Sequence, residues 1–199
     1  MFYKVLRVFF RAFFKIFFRA RVIGKENVPS EGAIILAANH MSNWDPPILA
    51  TFLDRKVNYM AKEELFANKI FAKAIRNLGA FPVKRGTADR NAIKKALSLL
   101  KEGKCLGLFP EGTRSRTGEL GKAEAGVGLI AAMSKVAVLP AAIIGTNKIF
   151  SSGNIFPRLT VVYGRPIMFK GSTKDKAALE TFSQSLMEEI GKLMAGVPK

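Results

Sequence analysis

Histidine and cysteine are almost absent from this chain of 199 residues, which has one of each, His40 and Cys105. A single cysteine cannot form an intramolecular disulfide, so a reducing compartment is compatible with the sequence. Structural zinc sites use four ligands, mostly cysteine and histidine, and no plausible zinc site can be built here. Any step near neutral pH that needs an imidazole must therefore use His40.

Acidic residues and long apolar runs are both missing from the first 22 residues. No Asp or Glu precedes Glu26, and apolar runs rarely exceed three residues. A membrane-spanning helix needs about 20 nearly continuous apolar residues. A signal peptide needs an uninterrupted apolar core and a small-residue cleavage site. The segment therefore predicts neither a spanning helix nor a signal peptide.

What this segment does contain is a basic stripe between phenylalanines. Five cations fall on one side of a helix: Lys4, Arg7, Arg11, Lys15 and Arg19. A basic stripe opposite a phenylalanine-rich face is typical of a helix that lies in the interface of an anionic membrane. The alternative is a helix packed on the folded body with its charged stripe in water. We therefore divide the chain into a membrane-surface helix at 1–22 and one domain at 23–199.

The overall charge is strongly positive, +17 at neutral pH, in a chain with 49% hydrophobic residues. Such a charge predicts an acidic partner: nucleic acid, anionic lipid, a phosphorylated substrate or an acidic carrier protein. Nucleic acid is disfavoured, because the interleaving of basic and aromatic residues is largely confined to the first 22 positions and no nucleic-acid-binding motif is present.

Beyond residue 24, short apolar runs alternate with amphipathic stretches. Strands are predicted at 33–38, 57–61, 80–84, 105–109, 136–144, 159–163 and 167–169. Helices are predicted from Asp45 and at 87–101, 123–134 and 174–194, and a broken helix at 63–78. This alternation predicts an α/β fold, a single domain with a mixed, mostly buried central sheet flanked by helices, in addition to the N-terminal helix.

The only histidine lies in the segment Asn39-His40-Met41-Ser42-Asn43-Trp44-Asp45, between a predicted strand and a helix start marked by Asp45 and two prolines. A tight loop can fold the Asp45 carboxylate back onto the imidazole. An aspartate bound to one ring nitrogen fixes the tautomer and leaves the other nitrogen free to take a proton from a hydroxyl. The alternative is a core histidine bonded to its own loop, with Asp45 only capping the helix.

A second polar loop, Phe109-Pro110-Glu111-Gly112-Thr113-Arg114-Ser115-Arg116, also follows an apolar strand. Gly112 lets the backbone approach a ligand, Thr113 supplies a hydroxyl, and Arg114 supplies a planar fork suited to phosphate oxygens. Because a carboxylate is an odd ligand for phosphate, Glu111 is expected to orient an arginine or a substrate hydroxyl. Alone, such a basic loop can equally face solvent.

Together the two loops resemble the glycerolipid acyltransferase family, whose pattern is H-x-x-x-x-D, an arginine block, F-P-E-G-T-R-S and an apolar strand ending in proline. The segment from Gly79 to Arg85 is similar to the second block, and Val138-Leu139-Pro140 to the fourth. Within that family the chain looks like the bacterial 1-acylglycerol-3-phosphate acyltransferases. It departs from the pattern at 121–126, where relatives often carry an aromatic residue and paired lysines before a glycine.

The resemblance implies an enzyme that moves a fatty acyl group from acyl-CoA or acyl carrier protein to the sn-2 hydroxyl of lysophosphatidic acid, giving phosphatidic acid. It implies His40 and Asp45 as the general-base pair. It also implies an acceptor site formed by Arg85, Glu111, Gly112, Thr113 and Arg114, with Lys84 as a helper. No metal or redox cofactor is called for. The expected location is the cytoplasmic face of the cell membrane, as a peripheral or monotopic protein.

Two alternatives stay open at this stage. The first is another acyltransferase of the same superfamily, which acts on glycerol 3-phosphate, another lysophospholipid or a lyso-amino-lipid. The second is a non-catalytic basic protein of the membrane surface. Acceptor profiling separates the first alternative from lysophosphatidic acid acylation, and acylation that is absent in His40→Ala would exclude the second.

Overall fold

A seven-stranded sheet forms the centre of the computed structural model, which describes residues 2–84, 89–115, 117–150 and 155–197. The strands are β1 (Arg21–Ile23), β2 (Ile34–Ala38), β3 (Val57–Lys62), β4 (Ala80–Val83), β5 (Cys105–Leu108), β6 (Val138–Ile144) and β7 (Thr160–Tyr163). The helices are α1 (Phe2–Phe18), α2 (Asp45–Thr51), α3 (Lys69–Asn77), α4 (Arg90–Lys101), α5 (Gly126–Ser134) and α6 (Lys176–Ala195). Short 3₁₀ helices lie at Lys25–Asn27, Glu63–Phe66 and Thr146–Lys148.

The sheet has the order β1-β7-β6-β2-β5-β3-β4. Neighbouring strands run parallel except for β6 and β7, which pair antiparallel. The sheet is therefore mixed. Helices that connect parallel strands must cover the faces of a sheet, and such strands become apolar along their whole length. All five side chains of β2 are buried, as this geometry requires.

Two cores lie on opposite faces of the sheet. One contains Ile34, Leu36 and Ala38 of β2 together with side chains of α1 and α2. The other contains Ile35 and Ala37 of β2 together with side chains of α4, α5 and α6. Alternate β2 residues thus enter different cores, as expected for a strand in the middle layer of three. The predicted single α/β domain with a mixed, mostly buried sheet is confirmed.

Several predicted elements differ from the structure at their ends. The helix predicted from residue 123 begins at Gly126, because the Glu124 N–H donates to the Pro110 carbonyl at 2.7 Å and holds the preceding residues against the second loop. The helix at 63–78 is broken, as predicted, into a 3₁₀ helix and α3, and the Asn68 side chain caps α3. The strand predicted at 167–169 contributes only an isolated bridge between Ile167 and Val138.

The N-terminal helix ends at Phe18, and β1 begins at Arg21, so the predicted helical segment 1–22 also contains an edge strand. Phe14 and Phe18 are buried in the first core. Their burial means that α1 packs on the domain through part of its phenylalanine-rich face. Among the described helices, none is both long and apolar enough to cross a membrane.

The basic stripe of α1 is turned partly toward the domain. Arg7 Nη1 donates to the Leu53 carbonyl at 2.8 Å, and Arg11 Nη2 donates to the Thr51 carbonyl at 3.1 Å. Thr51 is the last residue of α2 and Leu53 lies just beyond it. Guanidinium groups bind well at such a helix end, because the last carbonyls of a helix have no partner within it. The side of α1 that faces solvent is largely apolar, an outer stripe formed by Val5, Val8, Phe9, Ile16 and Phe17.

Candidate active site

The two predicted loops meet the end of a third strand at the carboxyl ends of neighbouring parallel strands. His40 follows β2, Phe109 follows β5, and Lys62 is the last residue of β3. In open α/β sheets, ligands bind in the crevice outside the carboxyl ends of the strands. The strand order therefore brings together candidate functional residues that lie roughly 70 positions apart in the sequence.

His40 and Asp45 are in direct contact. His40 Nδ1 lies 2.8 Å from Asp45 Oδ2, and the same oxygen accepts from the backbone N–H groups of Met41 at 2.6 Å and Ser42 at 2.7 Å. An oxygen that already accepts from two amides acts as an acceptor toward the ring as well, so the proton belongs on Nδ1. Nε2 is then the nitrogen with a free lone pair. The aspartate at the start of α2 thus turns back onto the loop.

The imidazole is also held by stacking. The rings of His40 and Phe109 are stacked with centroids 4.0 Å apart, and Phe109 stacks in turn on Tyr59 at 6.1 Å. Burial raises the pKa of Tyr59 well above its usual value, and its hydroxyl donates to the Pro46 carbonyl at 3.1 Å. The tyrosine therefore stays neutral.

The second loop binds the main chain of His40 on both sides. Glu111 Oε1 accepts from the His40 N–H at 2.8 Å, and the Ser115 N–H donates to the His40 carbonyl at 2.8 Å. The other Glu111 oxygen accepts from the Gly121 N–H at 2.9 Å. The buried Glu111 carboxylate is thus bound to two backbone amides, contacts that the sequence did not predict. The predicted contact with an arginine or the acceptor stays a prediction.

The other predicted residues of this loop lie either in the wall of a cleft or in a turn of the backbone. Thr113 and Arg114 line the cleft beside His40. Gly112 adopts φ 64°, in the left-handed region, and a Cβ there would lie 3.0 Å from Glu124 Cγ. Its role in the described structure is therefore to turn the chain beside Glu124, and the positive φ favours glycine there.

The predicted second block is only partly described. The Lys84 side chain is exposed after β4, and its backbone N–H donates to Asp89 Oδ2 at 2.9 Å. Within the described ranges, Lys84 is not part of the cleft wall. Arg85, predicted as an acceptor ligand, lies outside the described residues, as does Arg116.

A cleft of about 1070 Å³ opens at His40 and extends between two groups of helices. One wall comes from α1 and α2, and the other comes from the 3₁₀ helix at Glu63–Phe66 and from α3. Away from His40 the walls are largely apolar and include Leu6, Phe10, Pro47, Leu65, Phe71 and Ile75. The cleft therefore combines a polar end, where the loops meet, with an apolar length that suits a hydrocarbon chain.

The sequence matches the model of the family described as Acyltransferase over residues 19–144. The chain belongs to the acyltransferase family. The resemblance carried by the two loops is thereby confirmed, and the matched region extends from the end of α1 to the end of β6.

Relatives of known name agree with this assignment. A 1-acyl-sn-glycerol-3-phosphate acyltransferase of Bacillus subtilis is 35% identical over 152 residues, which cover 74% of this chain and 73% of that protein. One of Streptococcus pneumoniae is 34% identical over 163 residues, covering 80% and 60%. The match to chloroplastic LPAT1 of Arabidopsis thaliana spans only 39% of that longer protein.

The fold is also shared with a solved acyltransferase. The crystal structure of the 1-acyl-sn-glycerophosphate (LPA) acyltransferase PlsC from Thermotoga maritima matches this structure with a TM-score of 0.78 at 29% sequence identity. The match covers 99% of this chain and 81% of the Thermotoga chain.

Two residues of this acyltransferase site were not predicted from the sequence. Lys62 lines the cleft, and its place at the end of a parallel strand was the available signal. Asn39 is fully buried; its Nδ2 donates to the Ile143 carbonyl at 2.9 Å, and its Oδ1 accepts from the Ile143 N–H at 2.7 Å. The residue before His40 is thereby fixed to β6.

The single cysteine of this acyltransferase is not a candidate nucleophile. Cys105 is buried in β5, and burial raises the pKa of its thiol to about 12. A thiol in this state is a poor nucleophile, because the reactive species is the thiolate. Cys105 therefore belongs to the packed core, as its apolar surroundings in the sequence predict.

Proposed function

We propose that this protein transfers a fatty acyl group from a thioester to the sn-2 hydroxyl of 1-acylglycerol 3-phosphate, giving phosphatidic acid. The observation that carries the proposal is the 2.8 Å contact between His40 Nδ1 and Asp45 Oδ2 at the polar end of the cleft. The names of the Bacillus and Streptococcus relatives support the same acceptor. The donor is acyl-CoA or acyl carrier protein, and both are acidic partners suited to a chain of net charge +17.

In this mechanism, His40 Nε2 takes the proton of the acceptor hydroxyl as its oxygen attacks the thioester carbonyl. The tetrahedral intermediate then collapses, the C–S bond breaks, and the departing thiolate takes the proton from the imidazolium. Asp45 stabilises that imidazolium through Nδ1. A positioned general base of this kind contributes typically about 10²–10⁴-fold in rate. The Glu111 and Ser115 contacts keep the His40 main chain in place while the proton moves.

Recognition of the acceptor phosphate is assigned to arginines. Arg114 lines the cleft beside His40, and its planar fork can bind two phosphate oxygens at once. Arg85 is proposed as the second phosphate ligand, with Lys84 as a helper, on the pattern of the family's second block. Thr113 contributes a hydroxyl to the same end of the cleft. The apolar length between α1 and α3 would accept an acyl chain.

Membrane attachment is proposed through α1. Its outer stripe leaves Val8, Phe9 and Ile16 exposed at 65%, 60% and 69%. A helix held on the domain by its inner face, with apolar side chains outside and Lys4 and Lys15 exposed beside them, suits the interface of an anionic bilayer. The cytoplasmic face of the cell membrane is the proposed location, because both acyl donors are found in the cytoplasm.

A matched panel of substrates tests the proposal. Purified protein and its His40→Ala variant would be given acyl-CoA or acyl carrier protein with lysophosphatidic acid, glycerol 3-phosphate or another lysophospholipid. The proposal expects the highest kcat/KM with lysophosphatidic acid and no activity in the variant. Preference for another acceptor would reassign the protein within the superfamily, and equal acylation by His40→Ala would refute the mechanism.

A further inference from the structure

Phe150, Ile155 and Phe156 expose apolar side chains next to the C-terminal end of α1. Phe150 and Ile155 are each 59% exposed and Phe156 is 39% exposed. We call these three residues the second patch. Exposed aromatic and branched aliphatic side chains are costly in water when they lie together, and such clusters mark sites of association.

The second patch is joined to the outer stripe of α1 by ring contacts. The rings of Phe156 and Phe17 have centroids 5.5 Å apart, and those of Phe150 and Phe156 are 6.4 Å apart. Phe156 also packs edge-on against the buried ring of Phe18 at 5.3 Å. The apolar surface therefore continues without a break from α1 onto residues more than a hundred positions later in the chain.

Backbone hydrogen bonds join the chain after Phe156 to the end of α1. The Leu159 N–H donates to the Phe18 carbonyl at 3.2 Å, and the Arg21 N–H donates to the Leu159 carbonyl at 2.9 Å. The residues that follow the patch are thus tied to the end of α1 and to β1. This anchoring joins the chain just after Phe156 to the helix that carries the outer stripe, so the two parts of the surface are held side by side.

The charges around this apolar surface indicate what kind of partner it binds. No Asp or Glu occurs before Glu26 or between Glu124 and Asp175, so both stretches that form the surface lack acids. Arg19, Arg21 and Arg158 are exposed near its edge. Apolar side chains surrounded by cations and free of acids match the headgroup region of an anionic bilayer, which offers negative charge above an apolar layer.

We propose that the second patch and the outer stripe of α1 form one surface that inserts into an anionic bilayer at two places. This inference rests on the membrane attachment proposed above and extends it to a segment outside α1. It also places the bilayer next to the His40 loop, because the Phe150 ring lies 6.3 Å from the ring of Trp44, the residue before Asp45. The acceptor would leave the bilayer beside the cleft that it enters.

Vesicle binding by the full chain tests the second patch. The double variant Phe150→Ser/Ile155→Ser would be compared with Val8→Ser/Phe9→Ser on α1 and with the control Met133→Ser/Met168→Ser. Both control methionines are 48% exposed and belong neither to the outer stripe nor to the second patch. Binding is measured by sedimentation with vesicles of phosphatidylglycerol and phosphatidylcholine. Each of the first two variants should bind at least tenfold more weakly, and the control should bind as the wild type does.

Trp44 supplies a second readout, because it is the only tryptophan in the chain. Vesicles with brominated acyl chains should quench its fluorescence in the wild type. At an equal bound fraction, quenching should be weaker in Phe150→Ser/Ile155→Ser, because this end of the surface would no longer insert. Circular dichroism would verify that each variant is folded.

The outcomes separate the two proposals. If only the α1 variant loses affinity, the second patch does not insert, and attachment through α1 stands. If neither variant differs from wild type, both membrane proposals are wrong. If ultracentrifugation shows a wild-type dimer that Phe150→Ser/Ile155→Ser loses while its vesicle affinity is unchanged, a second copy of the chain covers the patch, and the bilayer proposal is overturned.

Discussion

The carboxylate of Glu111 accepts a hydrogen bond from the backbone N–H of His40 at 2.8 Å, and it does so from a loop 71 positions later in the sequence. Glu111 is buried, and its second oxygen is bound to the Gly121 N–H. The Glu111 side chain of the second loop thus binds the main chain of the first loop. We therefore expect Glu111 to influence the reaction at the imidazole by holding the His40 main chain in place.

Replacing Glu111 by Ala should therefore lower kcat by about tenfold or more while the KM of each substrate changes little. The buried His40 N–H would lose its acceptor, a loss that typically costs about 1–3 kcal/mol, and the more exposed Gly121 N–H would lose its own. Glu111→Gln should retain part of the activity, since its amide oxygen can accept one of the two bonds. Glu119→Ala, at an exposed position of the same loop region, is the control. A selective rise in the acceptor KM would return Glu111 to the acceptor's pocket.

His40→Ala and Asp45→Asn should each reduce kcat by about 10²-fold or more, the factor expected for a general base. Both proteins should remain folded, because the changes lie in a loop at the end of β2 and the surrounding core is kept. Activity is measured with thioester and lysophosphatidic acid, and folding by circular dichroism. No other histidine exists to replace His40, so near-normal turnover in a folded His40→Ala protein would end the general-base mechanism.

Arg114→Ala and Arg85→Ala should raise the KM for the acceptor much more than the KM for the thioester, because the lost contact is to the acceptor's phosphate. Lysine at either position should rescue only partly, since a bidentate fork becomes a point charge. Arg165→Ala, an exposed arginine that is not part of the described cleft wall, serves as a control. Selective loss of donor affinity would assign the two arginines to the other substrate.

Side-chain truncation should affect stability differently on the two faces of α1. Phe14 is fully buried in the first core, so Phe14→Ala should destabilise the protein by about 3–5 kcal/mol. Phe9→Ala, on the outer stripe, should change stability by less than about 0.5 kcal/mol. Urea unfolding measures both. Equal, small effects would show that α1 does not pack on the domain in solution.

Stability should fall in alkaline solution because of Cys105. The folded thiol has a pKa of about 12, whereas an unfolded cysteine has a pKa near 8.5. Between these values the unfolded chain has lost a proton that the folded chain keeps, so the free energy of unfolding decreases as pH rises, by up to about 1.4 kcal/mol per pH unit. Cys105→Ala should show a correspondingly shallower decline over the same range. Parallel pH profiles would contradict the burial argument.

Local patterns in the sequence predicted much of the sheet. The apolar run before His40 and the run around Cys105 are central strands, as expected, because buried parallel strands need continuous apolar sequence. The contact of Asp45 with His40 also follows from a local signal, since a proline-marked helix start five residues after the histidine leaves only a tight loop.

Contacts that depend on the order of strands in the sheet could not be predicted from local sequence patterns. The Glu111 carboxylate is paired with His40 because β5 lies beside β2, and strand order is not encoded in the hydrophobic period of either strand. The contacts of Arg7 and Arg11 with the domain were not predicted for a similar reason. Their partners are carbonyl groups at the end of α2, about 40 residues away.

The double hydrogen bond between Asn39 and Ile143 also bears on how the protein is made. The two residues are 104 positions apart, a delay of about 5–20 s at a typical ribosomal rate of roughly 5–20 residues per second. Throughout that interval the nascent chain already carries His40 but lacks the strand that anchors the residue before it. The histidine loop can therefore take its final geometry only after β6 has emerged, so that a prematurely released chain should have no competent general base.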